Sequence, residues 1–511
     1  MAPALPVQYV LNDGEYDLLR KYIIKAAGKE PGEQVATSAV RHHDRNAAAF
    51  RSASRVFLMT FGTLKTLDMA SARLLARQGA ASTPPPPLRL LASKKKLALS
   101  FSSLLFFHQV LFRFFTRIRS QLLHEKVRSI RERYPKLYAM LTCRLAPAIG
   151  ASLSGFALGI FPADQLRVTI VLCVACRALE LAYAAIEGAG LIKKRPWWFG
   201  SWLLFPLAQG QLFHALVFDR DCIPEAYGSF ILNHTPEYIQ RRPINLSSKV
   251  TWPTSHQIVD ALAQMARLRW PPFVSPILHP ADLHPLPRTI DPVISPITSR
   301  AHPAHQHLSC ALIHPSELSC FVAYLRQNLL AFPRLARLFA IYYGALSLPR
   351  YKAFVQSPIA SLNQLSQQVL RTALAISGII GTSWGSICLF AAILPRSFLP
   401  RFRFFLGGLL GGAFQFLDRT PAGHANALYA ARTSVDSLWK VGVKHRWWKG
   451  IKGGDVWLFV AALTIVNVVF DLGKDTAVGR DRAMMLIRVL RGEFELGLPQ
   501  KVQTARDVKE E

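Results

Sequence analysis

A chain of 511 residues in which 51% are hydrophobic and only 18% charged, with a mean hydropathy of +0.21, lacks the polar surface of a water-soluble multidomain protein. It reads as an all-α, polytopic membrane protein. The formal charge of +30 asks for an anionic partner; the basic residues gather in short loops beside apolar runs, so that partner is the headgroup layer of a lipid bilayer, and no nucleic acid is expected.

Residues 1–96 form an interfacial and linker region. No cleavable secretory signal is expected over 1–14, which is neither basic nor followed by a short apolar core. Tyr16, Leu19, Tyr22 and Ile23 make one apolar helical face, and Phe57, Phe61, Leu64 and Leu67 another. The stretch 41–78 is rich in Arg, Ala and Ser and poor in acids, which fits a helix lying on the membrane and also an organellar targeting composition. Pro84, Pro85, Pro86 and Pro87 lack amide donors and predict an extended linker.

A first transmembrane repeat is expected over 97–219, with spans near 97–115, 145–161, 166–186 and 199–218. The second of these carries small residues at helical spacing, Gly150 and Ser154 on one stripe and Gly155 and Gly159 on the next, so another backbone can approach closely. The third holds Arg177 and Glu180 within an apolar run. The fourth begins after Lys193, Lys194, Arg195, Pro196, Trp197 and Trp198, a basic and aromatic anchor of the kind found at headgroup depth.

The segment 220–372 is expected to be extramembrane and amphipathic. Its middle is rich in Pro and His, including His279, His284, His302, His305, His307 and His314, and prolines every few residues rule out long helices there. From 321 to 348 an amphipathic helix returns, a surface helix or a half-span, with Arg326, Arg334 and Arg337 among apolar residues. A second transmembrane repeat is expected over 373–472, with spans near 373–394, 404–417, 424–441 and 456–472 and packing glycines Gly407, Gly408, Gly411 and Gly412. A charged tail, 473–511, ends in disorder from about Leu498.

The order of events in the first repeat recurs in the second: glycine-rich helix, Pro break, helix with an Arg and an acid, basic Trp-rich loop, and an apolar helix ending Val-Phe-Asp. Arg177 and Arg432 lie 255 residues apart, as do Trp202 and Trp457. Such a register points to an internal duplication. With eight spans, the basic loops 116–144, 187–198, 395–403 and 442–455 fall on one face, and an even count per half makes the two repeats parallel.

Two charge pairs stand out. Arg177 and Glu180 are three apart and Arg432 and Asp436 four apart, so each pair shares a helix face and can neutralise itself in hydrocarbon, where each unpaired ion would cost several kcal/mol. They serve as structural locks between helices or as the lining of a polar path. Cys173-Val-Ala-Cys176 lies mid-span, away from the helix N-terminus that thiol redox chemistry requires, and reads as packing. The seven cysteines are scattered and odd in number and give no sign of a disulfide framework, so a reducing, intracellular setting is the simpler inference. The His and Cys residues from His302 to Cys320 are zinc-ligand types, but their spacing is irregular and no metal site is assigned. No phosphate loop, HExxH or GxSxG motif occurs, so no catalytic residue and no cofactor are expected. A membrane-embedded acyltransferase would need a catalytic His, for which His108 and His214 are the only candidates.

The stretches PADQLRVTIVLCVACRALELAYAA, RPWWFGSWLLFPLAQGQLFHALVFDRDCIPEAYGSFILNHTPEYIQRRP and AHPAHQHLSCALIHPSELSC resemble fungal members of the transmembrane protein 135 family over about 45–475. That family is similar to the superfamily of mitochondrial Tim translocase channels and small peroxisomal membrane proteins, whose unit is four glycine-packed helices. The resemblance implies a peroxisomal or mitochondrial membrane protein linked to lipid handling and organelle dynamics, without known catalytic residues, and partnered by a second copy or by other organellar membrane proteins. The family's cysteine-rich segment after the fourth span retains only Cys222 here, which places any metal or redox role for it in doubt.

Overall fold

A computed structural model describes residues 45–77, 94–124, 128–191, 200–240, 242–243, 250–279, 290–473 and 482–492. The apolar face at Tyr16 to Ile23, the proline linker, the Lys193 to Trp198 anchor, His284 and the tail beyond Leu498 lie outside them. The described residues are helical without a β-strand, as expected. The helices used below are α1 Arg45–Arg77, α2 Lys94–Leu122, α3 Ala146–Ser152 with its 3-10 continuation Leu153–Ile160, α4 Gln165–Gly188, α5 Leu204–Phe218, α6 Ser255–Arg267, α7 Leu308–Ile313, α8 Cys320–Ser347, α9 Pro358–Ile393, α10 Arg403–Gly412 with Ala413–Leu417, α11 Pro421–Lys444, α12 Gly454–Leu472 and α13 Arg482–Arg491.

Local chemistry sets many of these boundaries. The Asp164 side chain accepts from the Arg167 amide at 3.1 Å to start α4, and Thr420 does the same for Gly423 at 3.2 Å to start α11. Pro358 and Pro421 stand in the first turns of α9 and α11, where the missing amide costs nothing. A capping box between Thr254 and Gln257 opens α6. Gly453, at φ +72°, turns the chain into α12 in a conformation that suits glycine.

Five of the described helices are long and apolar enough to cross a membrane: α2, α4, α8, α9 and α12. Pro135–Thr142 with Ala146–Ile160, bent by 85°, would make a sixth as a broken span. The count of eight is therefore corrected. The expected spans at 199–218 and 404–417 are shorter apolar helices; at 1.5 Å per residue the 15 residues of α5 reach about 22 Å, against a hydrocarbon core of about 30 Å. Helix α11 is not among the five, because its polar and charged residues dilute the apolar run. Conversely, α8 lies in the segment expected to be extramembrane. It runs 28 residues through Pro333 without ending, and its three arginines hide an otherwise apolar sequence.

The chain folds as two compact units that do not follow chain order. The first comprises 1–194 and 451–511, the second 195–450. The expected boundaries at 219 and 472 are thus not the edges of the units, since the last helix of each expected quartet packs in the other half's unit. In the first unit α12 packs against α3 and α4, and α2 against α3 and α1, around a core that includes Leu104, Leu158, Val171, Phe459, Leu463 and Phe470. In the second unit α5 packs against α10 and α11, and α9 against α10 and α8. The insert's α6, α7 and 291–298 bury Ile258, Leu262, Met265, Ile294 and Leu312 in one core with Phe213 and Leu216 of α5, Trp384 of α9 and Phe404 of α10.

Small residues make these contacts. In α10, Gly407 and Gly411 face Ser386 and Ser383 of α9, while Gly408 and Gly412 face Gln209 and Pro206 of α5. A methyl group at Gly408 would stand 2.5 Å from the Gln209 carbonyl, and one at Gly412 2.5 Å from the Pro206 Cα. In α3, Gly150 lies against the Phe115 ring, Gly155 against Phe459 and Val460, and Gly159 over Val456. Ser154 is buried on the same segment.

Gly408→Ala is expected to destabilise the detergent-solubilised protein by roughly 1–3 kcal/mol through overpacking. Gly62→Ala in α1, which meets nothing within 4 Å, should be neutral or stabilising by a few tenths up to about 1 kcal/mol. Thermal melting of the two variants tests the difference.

Candidate metal centre and the buried polar groups

The short helix α7 is buried along its whole length, which carries Cys310 inward and leaves His314 at its C-terminal end. A turn follows in which the Glu317 carboxylate accepts the Ser319 amide at 3.3 Å, and Ser319 in turn caps α8. Cys320 is the first residue of that helix. Helices α8 and α9 form an antiparallel hairpin. Its rungs are Tyr324 to Thr382 at 3.1 Å, Asn328 to Ser377 at 3.1 Å and Tyr343 to Thr372 at 3.2 Å. Extending this register past Tyr324 brings Cys320 to Cys388 on the buried face of α9.

Four ligand atoms, one each from Cys310, His314, Cys320 and Cys388, therefore lie within 4.8 Å of one another. The Sγ atoms of Cys310 and Cys320 are 3.8 Å apart, and His314 Nε2 is 3.3 Å from Cys388 Sγ. His314 Nδ1 donates to the Glu317 carbonyl at 2.7 Å, which turns Nε2 toward the sulfurs. The His305 ring meets His314 edge to face with centroids 5.3 Å apart, and burial, helped by His314, holds its imidazole below the ordinary value. Three of the four ligand residues are buried, Cys320 being exposed. No metal site is assigned here from sequence; three members of the cluster are visible at irregular spacing, and the fourth comes from a helix 68 residues further on.

The expected charge pairs sit differently from one another. Arg177 Nη1 and Glu180 Oε2 pair at 3.0 Å halfway along α4, with side chains 42% and 22% exposed. Arg432 Nε donates to the Leu428 carbonyl at 3.1 Å, and Asp436 takes Lys440 Nζ at 2.8 Å. The deepest ion pairs of the first unit are others. Arg167 reaches Asp455 through two nitrogens at 2.5 and 3.1 Å and the Phe161 carbonyl at 2.7 Å. Arg491, with no exposed side-chain surface, pairs with Asp471 at 2.6 Å and lies between the rings of Phe112 and Phe470. These partners are far apart in sequence, and no local spacing announces them.

His108 is held structurally. Its Nδ1 donates to the Leu490 carbonyl at 2.9 Å, and its Nε2 accepts from Asn467 at 3.1 Å, which also donates to Ser152 at 2.9 Å. His214 packs on Phe218, with ring centroids 4.7 Å apart. At the end of α5, buried Asp219 takes Lys444 at 2.9 Å and His445 at 3.0 Å, and the Lys444 ammonium also holds the Asp221 carboxyl below its usual range.

The chain matches no protein-family model, no curated protein and no solved structure.

Asp455→Ala strands the buried Arg167 guanidinium and is expected to cost roughly 3–5 kcal/mol. Asp260→Ala, which removes the exposed partner of Arg220, should cost about 0–1 kcal/mol. Melting temperatures of the solubilised variants measure both.

Proposed function

We propose that this chain is an integral protein of a peroxisomal or mitochondrial membrane that moves or organises lipid or small solutes without catalysing a covalent reaction. The observation that carries the reading is an inverted polarity. Along the apolar stretches of α4 and α8 only 17% of residues are buried, so Leu179, Phe321, Leu329 and Ile341 point outward. Polar His108, Gln109, Asn467, Gln209 and Gln327 are inside. In water each outward leucine or phenylalanine would forgo about 1.5–3 kcal/mol of burial, whereas lipid provides that burial at no packing cost.

The finer reading is a duplicated four-helix unit, each copy completed by a helix from the other half, with lipid headgroups and a second copy or other organellar membrane proteins as partners. The resemblance to the transmembrane protein 135 family supports the organelle and the link to lipid. A second reading, a transporter or translocation-channel-like subunit, is favoured by one feature: Arg177 and Glu180 lie midway along a candidate span and stay open to the outside of the unit.

A tagged copy is expected to resist alkaline extraction and to overlap a peroxisomal or mitochondrial marker; release by alkali or residence elsewhere contradicts the proposal. Arg177→Gln and Arg432→Gln separate the two readings. Lower protein level with unchanged flux per molecule of a fluorescent phospholipid in proteoliposomes marks structural pairs. Unchanged level with at least a tenfold loss of flux marks a path.

A further inference from the structure

The geometry points to a zinc site: we propose that Cys310, His314, Cys320 and Cys388 together bind one structural Zn²⁺ that clamps the open end of the α8–α9 hairpin to the insert. The proposal goes beyond the membrane reading and stands whichever cargo the protein handles. A tetrahedral ion with Zn–S of about 2.3 Å and Zn–N of about 2.0 Å places its sulfurs about 3.8 Å apart and a sulfur and nitrogen about 3.5 Å apart. The observed 3.8 Å between Cys310 and Cys320 and 3.3 Å between Cys388 and His314 fit those edges. Three thiols and an imidazole suit zinc and not magnesium or calcium, which take oxygen ligands. The Glu317 carbonyl on Nδ1 orients the imidazole as metal-bound histidines are usually oriented.

Tyr238 borders the cluster. Its hydroxyl is buried and has no hydrogen-bond partner among the described residues. It lies over Gly385, one helical turn before Cys388. A disulfide between Cys310 and Cys320 would need the sulfurs to close from 3.8 Å to about 2.05 Å and would leave His314 and Cys388 facing each other without purpose.

Four protein ligands leave no open position, so the ion holds structure and does not activate water. One end of the hairpin is closed by the short connection 348–357; the ion closes the other, where α7 brings in the insert. Binding converts the three thiols to thiolates and releases their protons to water, so affinity falls as pH falls.

The full chain, purified in detergent without chelator, is expected to carry about one zinc per chain by elemental mass spectrometry. Cys388→Ser should lose at least nine-tenths of it, and Cys143→Ser, at an exposed cysteine, should keep it. Folded wild type without zinc, zinc retained in Cys388→Ser, or a Cys310–Cys320 disulfide in peptide maps would each overturn the proposal. Should Cys388→Ser fail to fold, Co²⁺ loaded into the wild type decides. Intense tetrahedral bands with thiolate charge transfer are expected, and a weak octahedral spectrum contradicts the site.

Discussion

Everything in the second unit hangs on the close approach of α10 to two neighbours at once. Gly407 and Gly411 let it settle on the serines of α9, and Gly408 and Gly412 let it settle on the backbone of α5. In lipid, helices gain nothing from leaving one apolar surface for another, so van der Waals contact at such stripes does the associating. With α5 committed to α10 in this way, the unit formed by α2, α3 and α4 is completed by α12. Gly155 gives that helix the matching seat against Phe459 and Val460.

Local features of this arrangement were legible in the sequence. The glycine stripes, the Pro breaks, the Arg177 and Glu180 pair and the long apolar runs are all short-range patterns, set by periods of three to four residues. What was not legible is who meets whom. Arg167 and Asp455 stand 288 residues apart, and Cys388 lies far from the other three members of its cluster. Arg491 falls in the stretch read only as a charged tail, yet two aromatic rings and Asp471 hold it inside. Helix α8 reads as a surface helix or a half-span because of Arg326, Arg334 and Arg337; in the fold the exposed face they share is largely apolar, with Leu325, Leu329, Leu338 and Ile341. Short α5 was read as a span because its composition is apolar, whereas its surroundings are other helices.

Polar groups in the interior divide into fixed and outward sets. His108, Asn467 and Ser152 are joined by hydrogen bonds, as are Gln211, Ser434 and Ser437, and such local networks orient the packed helices. Arg177 and Glu180 belong to the other set, open at the outer face of α4. The Cys and His cluster stands apart from both sets, at the end of the α8–α9 hairpin that meets α7.

The central claim is that the first unit closes on α12 and the second on α5, and paired aromatic contacts give it a direct test. Phe156 meets Trp457 with ring centroids 4.7 Å apart, and Trp202 meets Phe416 at 5.2 Å. Oxidative cross-linking of cysteine pairs at these positions in native membranes, read by peptide mapping, is expected to join Phe156→Cys to Trp457→Cys and Trp202→Cys to Phe416→Cys. Efficient joining of Phe156→Cys to Trp202→Cys, as quartets built in chain order would give, with none to Trp457→Cys, would contradict the account.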